Sequence, residues 1–156
     1  MKTGRSVAWA YFDTSALVKR YIDEPGRQDV LRLMRRHDCV TSAVTTVELR
    51  SALRRRAADG SLEGGRVAEI VRRITSDRAF WTLVSVSAEV LVAAEALVAA
   101  HPLRTLDAIH VASAQLFGAR LGSPAPIFVS ADARQTTAAA VVGMTTSLIE
   151  PKPADL

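Results

Sequence analysis

Apolar and polar positions along the chain fall into blocks whose period switches repeatedly. Val7 to Phe12 (VAWAYF) is continuously apolar and stops at Asp13, after which Leu17, Val18 and Tyr21 take helical spacing. A strand buried on both faces reads as such an unbroken run. The acid that ends it stands at a strand's C-terminal end, where open α/β sheets place their ligands. The spacing predicts a helix over Ser15 to Ile22, punctuated by Pro25-Gly26, and a second over Arg27 to Arg36 with Val30, Leu31 and Met34 on one face.

Cys39 to Ala43 is short and β-branched, a second strand. Val44 to Ala58 follows as a helix closed by Asp59-Gly60, and Ser61 is placed to cap another through Ile74. Trp81 to Val86 reads as a third strand. Ser87 then opens a helix to Ala100 that is apolar on nearly every side, the pattern of deep burial or of a face shared with a partner. His101-Pro102 breaks it, and Thr105 starts a helix through Phe117 that Gly118 and Gly122 end. Ile127 to Val129 is a buried strand leading into Ser130-Ala131-Asp132, then come an Ala-rich helix, Gly143 and a last strand from Met144 to Ile149.

Short buried strands separated by helices predict an α/β fold: one domain over residues 1–150, a central parallel sheet of four to five strands with helices on both faces, and a tail over 151–156. Periodicity leaves the strand order open.

Composition narrows the class. At 156 residues, with 49% hydrophobic and 23% charged residues, the chain can bury a sizeable aliphatic core without staples. The single cysteine, Cys39, excludes an internal disulfide and suits a reducing cytoplasm. Lys2 and Arg5 precede an apolar run too short for a signal peptide. No membrane span is expected, since Glu89 and Glu95 interrupt the most apolar stretch. The net charge of +4 favours a polyanionic partner.

Asp13, Glu48, Asp107 and Asp132 all fall near strand ends or the helix starts that follow them, so a parallel sheet can bring them to one edge. Carboxylates crowded together repel unless a cation neutralises them. Oxygen ligands without cysteine select Mg²⁺ or Mn²⁺. Such an ion activates water for attack on a phosphodiester. Together with the basic balance this points to a metal-dependent nuclease. Each acid also has a purely structural account: Glu48 in a capping box with Thr45, Asp107 at the positive end of a helix dipole, and Asp13 and Asp132 as helix N-caps.

Four blocks, FDTSALVKRY, TTVELRSALRRR, TLDAIHVASA and FVSADARQTTAAAVVGM, occur in order across nearly the whole chain. Together they resemble the motif blocks of PIN-domain ribonucleases, most closely the VapC toxins of type II toxin–antitoxin modules. The resemblance implies that Asp13, Glu48, Asp107 and Asp132 form an acidic pocket for Mg²⁺ or Mn²⁺. Asp13 and Asp107 would be the most regular ligands, and Glu48 would act through a metal-bound water. It also implies an RNA substrate cut to a 3′-hydroxyl and a 5′-phosphate, a homodimer, and an antitoxin partner that reaches into the pocket.

Around the acids, Ser130, Thr14 and Ser15 are either pocket hydrogen-bonding groups or ordinary strand-end and helix-start residues. Arg50, Arg54 and Arg55, with Arg56, Arg72 and Arg73, either contact RNA phosphates or solvate helix surfaces. His110, one turn beyond Asp107, reads as a packed, hydrogen-bonded imidazole rather than a general acid, and Trp9 and Trp81 read as core. Two other readings compete: a catalytically inactive RNA- or partner-binding module of the same fold, and phosphoryl transfer through Asp13. The second is disfavoured because Ser15 stands where a phosphatase places its second acid.

Overall fold

The computed structural model describes residues 7–121 and 125–150. Lys2, Arg5, Gly122 and the expected tail over 151–156 lie outside them. The chain runs β1 (Trp9–Phe12), α1 (Thr14–Leu17) tightening into a 3-10 turn (Val18–Arg20), α2 (Arg27–Arg36), β2 (Asp38–Ser42), α3 (Thr45–Ala58) and α4 (Gly64–Asp77). A 3-10 turn at Arg78–Phe80 leads to β3 (Thr82–Val84), α5 (Ala88–Ala100), α6 (Thr105–Leu121), β4 (Ile127–Ser130), α7 (Ala133–Val141) and β5 (Thr146–Leu148).

All pairings are parallel, in the order β3-β2-β1-β4-β5. The chain therefore builds outward from β1 to β3, then returns to lay β4 on the other side of β1. That reversal creates a topological switch point between the C-terminal ends of β1 and β4, the place where open α/β sheets bind ligands.

Side chains alternate across each strand, and the two sets feed two cores. Ala10, Phe12, Cys39, Ile127 and Val129 pack with α1 to α4, whereas Tyr11, Val40 and Phe128 pack with α5 to α7. Helices thus cover both faces, which is why β1 and β4 read as continuous apolar runs. Phe12 and Phe128 are wholly buried, each contributing about 1.5–3 kcal/mol by removal from water. Cys39 belongs to the first core, and burial pushes its thiol up to about 12. Trp9 packs edge-on against Phe117, and Trp81 lies against the first core.

Several local expectations shift. The first helix is cut short because the chain tightens after Leu17. Gly26, at φ +90°, starts α2, and a Cβ there would meet Ile149 Cγ2 at 2.5 Å, so only glycine fits that crossing. Ser61 does not cap α4: its N–H bonds Asp59 Oδ1 in a turn, and the helix begins after Glu63. Gly118 lies inside α6 rather than ending it, where Pro126 Cδ would come within 3.2 Å of a Cβ. Deep burial of α5 is overturned. Only Val90, Ala94 and Leu97 are buried, while Leu91, Val92 and Val98 are 47%, 68% and 46% exposed.

Candidate active site

Asp13 follows β1 and is the N-cap of α1, with its Oδ1 accepting from Ala16 N–H at 3.0 Å. It is only 1% exposed. Ser15 Oγ donates to both carboxylate oxygens at 2.8 and 2.9 Å, and Ser130 Oγ donates to Oδ2 at 2.8 Å. Ser15 Oγ in turn accepts from Ala131 N–H, and Ser130 Oγ from Asp132 N–H, each at 2.9 Å. The two hydroxyls therefore stitch the end of β1 to the end of β4 through the acid. Burial raises the Asp13 carboxyl above its ordinary value, against the opposing pull of His110 and of these donors.

Glu48 sits in the first turn of α3, but no capping box forms: the helix has no side-chain cap, and Thr45 Oγ1 is engaged with Thr41 at 2.7 Å. Instead Glu48 Oε1 accepts from Thr14 Oγ1 at 2.7 Å and lies 2.6 Å from His110 Nε2. The other ring nitrogen, Nδ1, is 2.9 Å from the Tyr11 hydroxyl. Burial would raise Glu48, yet the His110 hydrogen bond and charge, with Thr14, outweigh it and hold the carboxyl below the usual glutamate value. His110 is the buried, bonded imidazole that its helix pattern suggests, at 1% exposure.

Asp107 lies in the first turn of α6, where Gln135 Nε2 donates to its Oδ1 at 2.9 Å. Among the described residues its Oδ2 is buried without a hydrogen-bond partner, with Arg104 Nε 3.5 Å away as an ion pair too long for a hydrogen bond. Asp132 caps α7 through Arg134 N–H at 2.8 Å and pairs with the Arg134 guanidinium at 3.1 Å. Partial burial would raise this carboxyl, but Arg134 holds it below the ordinary aspartate value.

One cavity of about 650 Å³ receives all four acids together with Thr14, Ser15 and His110. Its wall also carries cationic side chains. Arg55 lines it, whereas Arg50 and Arg54 are exposed elsewhere on α3. Arg56, Lys19 and Arg104 line it as well. Glu24 binds both Lys19 and Arg56, at 3.3 and 3.0 Å. Sequence reasoning overlooked Gln135 and Arg104, although each stands three residues from a candidate acid, one helical turn away.

Among the described residues, no three His, Cys, Asp or Glu side chains are grouped tightly enough to hold a metal ion. The donor chemistry nonetheless fits a hard cation. The acids offer only oxygen, and the orphaned Asp107 Oδ2 is a buried acceptor that a cation would satisfy.

A model of the PIN-domain family matches residues 10–141, and the chain belongs to that family. Over 139 residues it is 34% identical to ribonuclease VapC46 of Mycobacterium tuberculosis, spanning 88% of this chain and 95% of that protein. The fold is also that of two solved structures. One is a toxin–antitoxin complex from Klebsiella pneumoniae (TM-score 0.60, 17% identity, covering 81% of this chain and 88% of that one). The other is FitAcB from Neisseria gonorrhoeae (TM-score 0.59, 14% identity, covering 88% and 95%). No helix among the described residues is long and apolar enough to cross a membrane.

Proposed function

We propose that the protein is an Mg²⁺- or Mn²⁺-dependent endoribonuclease acting in the cytoplasm as the toxin of a type II toxin–antitoxin module. The observation that carries this reading is the meeting of Asp13, Glu48, Asp107 and Asp132 in one cavity at the switch point of the sheet, with cationic side chains on its wall. Likeness to a protein named as a ribonuclease supports it.

In this reading Asp13 and Asp107 hold the ion, Asp132 completes the site, and Glu48 acts through a water. The ion supplies an activated water and neutralises charge developing on the phosphate. Ser15 and Ser130 keep Asp13 aimed into the cavity, and the serine hydroxyls bear hydrogen bonds that a buried carboxylate needs. Arg55, Arg104 and Lys19 contact phosphates of the RNA. A cognate antitoxin occupies the same cavity when the enzyme is silent, and the exposed apolar residues of α5 meet a second copy in a homodimer.

The inactive binding module keeps one observation in its favour: the acids are held apart, each by its own protein partners. One experiment separates the two readings. The purified protein should cut structured RNA in Mg²⁺ and stop in EDTA. Binding with a steep salt dependence but no cleavage would favour the binding module, and equal cleavage by Asp13→Ala would overturn the nuclease assignment.

A further inference from the structure

Resting on the nuclease reading, we propose that Tyr11 and His110 are positioning residues for Glu48, a relay that runs from the second core to the cavity wall. Tyr11 lies on β1 with its ring stacked on Phe128 of β4, centroids 5.5 Å apart and planes 8° apart, and it is wholly buried. Its hydroxyl is therefore fixed in space by the sheet itself. His110, on α6, spans the gap between that hydroxyl and Glu48 on α3, with 2.9 Å on one side and 2.6 Å on the other.

The hydrogen-bond directions follow from the chemistry of the carboxylate. An ionised Glu48 has no proton to give, so the proton in the 2.6 Å contact belongs to His110 Nε2. A neutral ring then accepts at Nδ1 from the Tyr11 hydroxyl, and a protonated ring donates from Nδ1 to the Tyr11 oxygen. In either state Tyr11 holds the ring in the orientation that points Nε2 at Glu48. Thr14 Oγ1 donates to the same oxygen, Oε1, so both donors are spent on one oxygen and Oε2 is left for a water or cation.

A packing histidine does not need this arrangement. His37, on the surface end of α2, satisfies Nδ1 with the Leu33 carbonyl of its own helix. His110 instead joins three elements, and its outer nitrogen goes to a half-buried acid that lines the cavity. Hydrogen-bonded partners behind metal-site ligands commonly set affinity and rate by 10–100-fold.

The test uses Tyr11→Phe, which keeps the stacked ring and deletes only the hydroxyl. His110→Leu, the double variant and Val40→Ala accompany it, the last trimming the packing beside Tyr11, its register neighbour on β2, while keeping every hydrogen-bonding group of the relay. Each is assayed for RNA cleavage and, separately, for Mn²⁺ affinity by calorimetry. Tyr11→Phe should lower kcat about 10-fold with KM within about twofold, and weaken Mn²⁺ by a similar factor. It should cost nothing further in the His110→Leu background. Val40→Ala should keep both values per folded molecule. Unchanged kcat and Mn²⁺ affinity in Tyr11→Phe would overturn the relay, as would an equal loss in Val40→Ala or additive losses in the double variant. If the wild-type protein cuts no RNA, the nuclease reading fails and the Mn²⁺ comparison alone decides the relay.

Discussion

The ends of β1 and β4 share one local grammar and differ in chemistry. Each is a buried strand followed by an aspartate that caps the next helix through a backbone N–H. Asp13 is sunk in the protein, bonded only to neutral hydroxyls and an amide, and burial lifts its carboxyl. Asp132 stands nearer solvent, paired with Arg134 and held below its ordinary value. A helix cap is therefore a placement device, while the surrounding donors decide whether the acid is poised to need a cation. Among the described residues the buried acid at β1 has no cationic side chain as a hydrogen-bond partner, so on the proposed reading an ion entering the cavity would relieve it more than it would Asp132.

The largest expected effect breaks the symmetry of the two acids. Asp13→Ala should lower RNA cleavage by more than about 100-fold, beyond the range of outer partners, whereas Asp132→Asn, which keeps a competent cap, should lower it about 10-fold. Equal losses in a single-turnover assay would mean that the two ends are equivalent. Next, Ser130→Ala removes a donor to Asp13 and the acceptor of Asp132 N–H at once. It should cost about 1–3 kcal/mol in urea unfolding and reduce cleavage with it.

The pH dependence sharpens the contrast without RNA. In EDTA, the native protein keeps a proton on Asp13 that the unfolded chain loses, so Asp13 subtracts stability as pH rises from the ordinary aspartate value through the raised one. Asp132 has the opposite sign: its contribution is present above the unfolded value and disappears as pH falls through the lowered one. Melting curves from about pH 3 to pH 8 should show the Asp13→Asn variant gaining on the wild type as pH rises, and the Asp132→Asn variant losing ground. Parallel curves would remove the distinction. The smallest effect is that of Arg134→Ala, which should change cleavage only a few-fold because its ion pair is half-exposed.

Much of this was legible in the sequence because strand ends are legible. The stop at Asp13 and the SAD triplet at 130–132 mark two edges, and the parallel sheet brings them together. The strand order was not legible, since periodicity reports which faces are buried and says nothing about which strands are neighbours. On α3, counting arginines does not say which of them face the cavity, whereas counting turns does. Glu48, Ala52, Arg55 and Arg56 recur at helical spacing and share the cavity face, while Arg50 and Arg54 fall on the other side. The Thr45–Glu48 spacing suggested a capping box because local rules cannot see Thr14 and His110, which arrive from distant parts of the chain and take the glutamate for themselves. On α5, uniform apolarity hid a narrow stripe of contact, Val90, Ala94 and Leu97, behind which the other side is exposed.

The return of the chain to place β4 beside β1 also sets a timetable. Asp13 emerges early in synthesis, but its partner Ser130 lies 117 positions later, and until β4 docks, β1 has an unpaired edge and the acid lacks its second hydroxyl. A chain still short of β4 can hold neither the stitched acid nor the switch-point crevice. Whatever chemistry the cavity performs is withheld from the nascent polypeptide and released only when nearly the whole domain has been made.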